Sequence, residues 1–406
     1  MTTPATSPSA VDAQITLERD GLVWFLFLSL GLFGFMQGFL SAAMPFVKDS
    51  LELPTSMVSW HFSAYALGRL SSGFPARRMV ERQVGPRAVR LIGLALLAVM
   101  VTIPLAPSAW LTLPGALGVG FFGGLLQALT QAQFVRLSTR TRAIAIGEAY
   151  VVASLGVFIC PVSIGFVAKH DLPWMTALAI PAMILAANAL FARPGGERGA
   201  AAKPAPPRAK AGAAHVKVVV TFWVLVFCGN AVEWGIGLWG PQVLKDKLHL
   251  STASAVQLMG FYFGATIVGR VINTRLLRRF ECEQLFLSYI VLGGAAVMMF
   301  LLSTSLPVAT AALVVAGACL GCFYPLNLAT AMKYAPDDIS LITSGAAKCS
   351  GLALLSVPLT LGYVSDRYDL STAIFIVGGI PPIMAALLIG VLRDRRRSAG
   401  PPPEVP

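Results

Sequence analysis

PGGERGAAAKPAPPRAKAGAAHVK, Pro194–Lys217, decides how the rest of the chain is read. It is basic, rich in Ala, Pro and Gly, and nearly free of large apolar side chains. With nothing to bury, it reads as a solvated linker. Motifs before it recur after it. Lys48–Leu53 reads KDSLEL and Lys245–Leu250 reads KDKLHL, both KDxLxL. Gly68-Arg69 is followed by Arg77-Arg78, and Gly269-Arg270 by Arg278-Arg279 at the same spacing. PVSIGFV at Pro161–Val167 has a counterpart in PLTLGYV at Pro358–Val364. Each second copy lies about 200 residues after the first and in the same order, the mark of an internal duplication. Two similar halves joined by a strap are expected.

Composition names the solvent. The chain has 406 residues, 56% hydrophobic and only 12% charged, with a mean hydropathy of +0.73. Soluble domains carry about 25% charged residues, and a chain this apolar could not clothe its surface in water. The bilayer is the solvent that fits, and it admits helices whose backbone bonds close internally. A helical span needs about 20 apolar residues. Twelve runs qualify: 22–46, 57–76, 88–106, 111–135, 143–167, 174–192, 218–241, 254–274, 284–304, 308–332, 342–364 and 371–392. The expected class is an all-α membrane protein of two pseudo-symmetric six-helix bundles, 21–193 and 218–392. A linker 194–217 and tails 1–20 and 393–406 complete it. Residues 1–20 hold one Arg and no short apolar core with a cleavage site, so no removable signal peptide is expected.

Charge sets the orientation. With the N-terminus inside, the inner segments carry Arg77, Arg78, Arg82, Arg87, Arg90, the basic linker, Arg275, Arg278, Arg279 and Arg393 to Arg397. The outer loops carry only Lys48, Lys169, Lys245, Lys247 and Arg367. The positive-inside rule therefore puts both termini and the linker in the cytoplasm. The net charge of +12 is topological, and no nucleic-acid partner is implied. The six cysteines fall mostly in apolar runs. Cys319-x-x-Cys322 has redox or zinc spacing but no complementary pair, so it reads as small helix residues, with no metal or cofactor.

Six plus six helices, a parallel repeat and a cytoplasmic central loop resemble the major facilitator superfamily over nearly the whole chain. In the fifth span its antiporters carry G-x8-G-x3-G-P-x2-G-G. Gly147, Gly156, Pro161 and Gly165 match, while Cys160 and Ile164 replace two glycines. Small residues and a Pro would bend this helix and bring it close to a neighbour, although generic Gly-rich packing would look the same. The loop after the second span keeps the motif's first glycine, Gly73, and its basic character, but Arg77 stands where the family has Asp. The fourth-span arginine of proton-coupled drug antiporters is absent from Leu111–Gln127. VEWGIGLWGPQVLKD at Val232–Asp246 and YALGRLSSG at Tyr65–Gly73 are similar to fucose-permease-like members. The resemblance implies that spans 1, 4, 7 and 10 line a central cavity and that pairs 2/11 and 5/8 meet across the halves.

Ionisable residues within spans are His61, Arg69, Glu148, Glu233, Arg270 and Lys348. Each would cost at least ~2–3 kcal/mol in lipid, so each should face protein or water. Glu233 lies in the seventh span near Asn230, Trp234 and Trp239, and the repeat places it opposite Gln37. It reads as a substrate- or proton-binding group, or more plainly as an interhelical hydrogen bond. Gln127 maps onto Tyr324, and with Gln37, Gln131 and Asn327 they suggest a polar lining, or links between helices. Similar depths suggest that Glu148 pairs with Arg270 across one seam; Arg69 and Lys348 sit at the corresponding depth across the other, where two cations would repel unless an anion or carboxylate joins them, and the plainer reading is that both arginines snorkel to the interface. His61 reads as packing.

These residues imply a secondary transporter in a bacterial-type inner membrane, not an enzyme. It would be monomeric and embedded in lipid, with no cofactor, and would export a small organic molecule by proton antiport through alternating access. Proton-coupled uptake of a sugar or organic acid is the alternative, and a non-transporting receptor a distant one. No P-loop offers direct ATP drive, and no clustered His and carboxylates suggest a membrane enzyme. The orientation predicts that a cysteine placed at Ala205 labels only from the cytoplasmic side and one at Ser303 only from outside. Labelling of Ala205→Cys in sealed right-side-out vesicles would refute it.

Overall fold

The computed structural model describes residues 20–134, 137, 139–191 and 213–398. Among these the chain is helical, with no strand. The first half holds α1 (Gly21–Ser50), α2 (Thr55–Glu81), α3 (Pro86–Leu105), α4 (Ala109–Gln133), α5 (Thr139–Lys169) and α6 (Ala179–Phe191). The second holds α7 (Ala213–Leu248), α8 (Thr252–Leu276), α9 (Cys282–Leu302), α10 (Leu306–Leu320), α11 (Phe323–Tyr334), α12 (Ile339–Arg367), α13 (Leu370–Gly378) and α14 (Ile380–Ser398). α10 and α11 are two pieces of one pass, interrupted at Gly321 and Cys322, and α13 and α14 are another, interrupted at Gly379. Twelve passes result.

The helices outrun the apolar cores from which they were read. α7 begins at Ala213, so the C-terminal part of the expected linker is helical, and residues 194–212 lie outside the described set. α14 carries on through Ser398, beyond the expected boundary at 392. Ten stretches are long and apolar enough to cross a membrane. α2 is long enough but falls outside that set, because His61, Arg69 and the arginines at its end interrupt its apolar run. The sixth pass is a shorter apolar stretch, Trp174–Leu190, entered through a 3-10 turn at Trp174–Leu178.

The duplication is visible in the closest helix crossings. A Cβ on Gly68 would run into the Leu117 carbonyl, and one on Gly120 into the Tyr65 carbonyl, so α2 and α4 touch backbone to backbone. In the second half Gly269 stands in the same relation to Ala318 and Gly317 to Tyr262, joining α8 to α10. Small residues permit such approach where lipid supplies no hydrophobic drive for helices to associate.

Between the halves, α5 packs on α8 and α2 on α12. One end of these seams is sealed. Asp49 pairs with Lys245 and accepts from Thr252 Oγ1 at 2.6 Å, and Asp366 accepts from the Ser56 amide at 3.1 Å. Ser41 bonds to the Gly237 carbonyl, and Phe62 meets Trp239 edge-on at 5.5 Å. The described hydrogen bonds between the halves run from this KDxLxL end only as far as mid-helix, at Ser63–Leu355 and Arg270–Ser154. Toward the α6–α7 end Phe74 is 81% exposed, and Leu70, Gly73, Phe74, Arg77, Arg78 and Glu81 of α2 line an open groove along that helix. Among the described residues, the hydrogen bonds that join the halves gather at the KDxLxL end.

Gly68→Val and Gly269→Val each force a branched side chain into a carbonyl. Overpacking of this kind costs roughly 1–3 kcal/mol or more. Both variants should melt at lower temperature in detergent than Gly73→Val, where a Cβ meets nothing within 4 Å. Equal melting of the three would refute the crossing.

Candidate functional site

Where the sealed part ends, a cavity of about 170 Å³ opens between the halves. α1 contributes Phe33 and Gln37, and α4 contributes Gln127. One face of α5 contributes Tyr150, Ala153, Ser154 and Val157, spaced at three and four residues as a helix face requires. From the other half come Glu233 and Trp234 on α7, and Tyr262, Phe263, Thr266 and Arg270 on α8.

Glu233 is half-buried and is the one carboxylate among these lining residues. Tyr262 donates its hydroxyl to the Glu233 backbone carbonyl at 3.0 Å, tying α8 to α7 beside it. Arg270 is its cationic neighbour across the cavity, without an ion pair between them. The guanidinium is held instead by the Gly321 carbonyl at 3.2 Å from Nε and by Ser154 Oγ at 3.1 Å from Nη1. A second guanidinium stands behind the wall. Arg69 donates to Gln127 Oε1 at 2.9 Å and to Tyr65 Oη at 3.4 Å, and lies 5.5 Å from the Phe33 ring centre.

Of the expected binding residues, the structure brings Gln37, Gln127, Glu233 and Trp234 together. Asn230 turns away: its amide donates to the Val226 carbonyl and its oxygen accepts from Ser350 Oγ, both at 2.9 Å, which joins α7 to α12. Tyr324 is half-buried near Tyr150 at the start of α11. Asn327 is 1% exposed, and neither of its amide atoms finds a hydrogen-bond partner. Trp239 belongs to the sealed end, against Phe62. His61 is fully buried between the Met57 carbonyl at 2.7 Å and Thr112 Oγ1 at 2.6 Å, a packing role.

The expected Glu148–Arg270 pair is not formed. Arg270 meets α5 at Ser154, about 9 Å along the helix from Glu148 at 1.5 Å per residue. The break between α10 and α11 presents a carbonyl outside the regular ladder, and the guanidinium takes it. Nor does Arg69 join Lys348. It turns into its own half toward Gln127, and Lys348 stays exposed on α12. In the fifth-span motif, Gly156 lets α5 lie against the backbone of Gly31 and Phe35 on α1, and Gly165 lets it lie against Ala253 on α8. Pro161 packs near Gly38, whereas Gly147 has open space around it.

Sequence reasoning missed Ser154, Tyr150 and the Asp49–Lys245 pair. The KDxLxL repeat had marked the last, but read only as a duplication. Spacing along one strand of sequence says nothing about which copy faces which.

A model of the Major Facilitator Superfamily matches residues 26–348. The chain belongs to the major facilitator superfamily. Solved superfamily-like structures agree in fold at low identity. A bacterial homologue of the human lysosomal transporter Spinster, in an inward-facing and occupied conformation, is 13% identical with a TM-score of 0.74, covering 93% of this chain and 98% of its own. The nucleoside transporter NupG is 12% identical, with a TM-score of 0.72 and coverage of 92% and 98%. A D-xylose–proton symporter is 12% identical, with a TM-score of 0.70 and coverage of 91% and 96%. No curated protein sequence matches the chain.

The sealed end predicts a measurable bias. Asp49 and Lys245 are partly exposed, so their pair is worth roughly 0.2–1 kcal/mol, up to about a five-fold shift in a two-state equilibrium. Asp49→Asn should raise labelling of a cysteine at Ala153 from the KDxLxL side by that order. The swap Asp49→Lys with Lys245→Asp should restore protection, and unchanged labelling in Asp49→Asn would refute a latch.

Proposed function

We propose that the chain is a proton-coupled secondary transporter that moves a small organic solute by alternating access, with Glu233 as the group that takes the proton. The observation that carries this reading is a single carboxylate in a cavity built from both halves, beyond the end where the KDxLxL contacts tie those halves together. A charged carboxylate at such depth is costly, and proton uptake relieves that cost. The halves then rock about the cavity. By the positive-inside rule we take the end that carries Arg77 and Arg78 as cytoplasmic, and we read the protein as a monomer in an inner membrane. Gln37, Gln127 and Trp234 contact the solute, while Asn230, Tyr324 and Asn327 serve the surrounding wall.

Export by antiport is the reading that the fifth-span glycines favour. One observation favours the other direction. Arg270 shares the cavity with Glu233, and once Glu233 is protonated the guanidinium is unopposed. A proton and an anionic solute would then enter together, which is symport.

Glu233→Gln should abolish gradient-driven transport in proteoliposomes while the protein still inserts and melts as wild type. Transport that kept its rate and its dependence on the proton gradient would reduce Glu233 to a structural residue. An inward proton gradient that drives accumulation selects symport, and one that drives release selects antiport.

A further inference from the structure

The polar groups of the cavity are mostly engaged already. Gln127 Oε1 holds Arg69. Thr266 Oγ1 donates to the Phe263 carbonyl at 2.7 Å, and Ser154 Oγ donates to the Tyr150 carbonyl at 2.9 Å while accepting from Arg270. The Tyr262 hydroxyl is held by the Glu233 carbonyl, and the Tyr150 hydroxyl accepts from Gln131. What remains for a solute is the Arg270 guanidinium, the Glu233 carboxylate, the Gln37 amide, the Gln127 amide nitrogen and the Trp234 indole N–H.

The guanidinium is the best-prepared of these. It has five N–H donors in a fixed plane. Gly321 fixes Nε, and Ser154 fixes one N–H of Nη1. N–H groups on both terminal nitrogens remain, and they match the two oxygens of a carboxylate. Arg270 in the wall and Arg69 behind it outnumber the one lining carboxylate, so the charge around the site favours an anion. Its remaining surface is aromatic: Phe33 and Trp234 from opposite halves, with Tyr262 and Phe263 edge-on to each other at 5.1 Å. The room of about 170 Å³ is ring-sized, since an apolar cavity of ~150 Å³ holds one benzene.

We propose that the solute is a small carboxylate on a ring-sized apolar body. Its head group is held two-pronged by Arg270, its ring lies between Phe33 and Trp234, and Glu233 is left free for the proton. The inference rests on the transporter reading and deepens it.

The test uses the purified full chain in detergent and sets of probes that share one body: benzoate with benzamide and benzylamine, and phenylacetate with its amide and amine. Phenylalanine serves as the zwitterion. Binding is read by thermal shift and by tryptophan fluorescence. At least one carboxylate should bind ten-fold or more tightly than its amide, and the amines should bind no better than the amides. Arg270→Gln should bring carboxylate binding down to the level of the matching amide. Arg270→Lys keeps the charge but loses the fork, and should retain part of the preference even if the Gln variant fails to fold. Equal binding of acid and amide in both sets, tighter binding of an amine or of phenylalanine, or no binding by either carboxylate would overturn the proposal. The transport reading is separable. A carboxylate that binds yet is never moved by reconstituted protein leaves the anion site standing and removes transport. Movement of a sugar or amine without carboxylate binding does the reverse.

Discussion

A polar group inside a bilayer has no water to fall back on, and the arrangement of this molecule follows from that constraint. The backbone meets it by closing into helices. Side chains meet it by binding one another: His61 between Met57 and Thr112, Asn230 with Ser350, Arg69 with Gln127, and Arg90 with Asn188, which in turn reaches Ser29. Against this background of paired groups, Glu233 and Arg270 stand out because they share a cavity without pairing. In a low-dielectric interior such an arrangement is expensive to keep.

Duplication supplies the frame for this arrangement. Gly68 with Gly120, and Gly269 with Gly317, make the same backbone-close crossing in each half, so the two halves share one tight internal packing. The repeated KDxLxL contributes one partner from each copy, the carboxylate of the first and the ammonium of the second. A symmetric sequence thus gives a contact between the halves. The cavity itself is not symmetric. Arg69 faces its own half through Gln127, whereas its counterpart Arg270 crosses toward Ser154 on α5. The break in the tenth pass underlies the difference, because it offers Arg270 the Gly321 carbonyl.

The glycines of the fifth pass also separate by use. Gly156 and Gly165 sit at contacts with α1 and α8, where any side chain would collide with backbone. Gly147 has no such neighbour. A motif can therefore match at several positions while the geometry needs only some of them.

The sequence by itself determined the solvent, the helical class, the number of passes, the duplication and the family, because composition and periodicity respond to the bilayer residue by residue. It also drew attention to Glu233, Gln37, Gln127 and Trp234, since an ionisable or amide group in an apolar run is conspicuous wherever it points. Only the tertiary structure decided the partners. The depth of a residue along its own helix does not fix the tilt or rotation of the neighbour, so Glu148 and Arg270 looked matched and are not. Ser154 and Tyr150 looked ordinary and are in the wall. Helix breaks, crossing points and the closed end arise from packing between segments far apart in the chain, and no single segment records them.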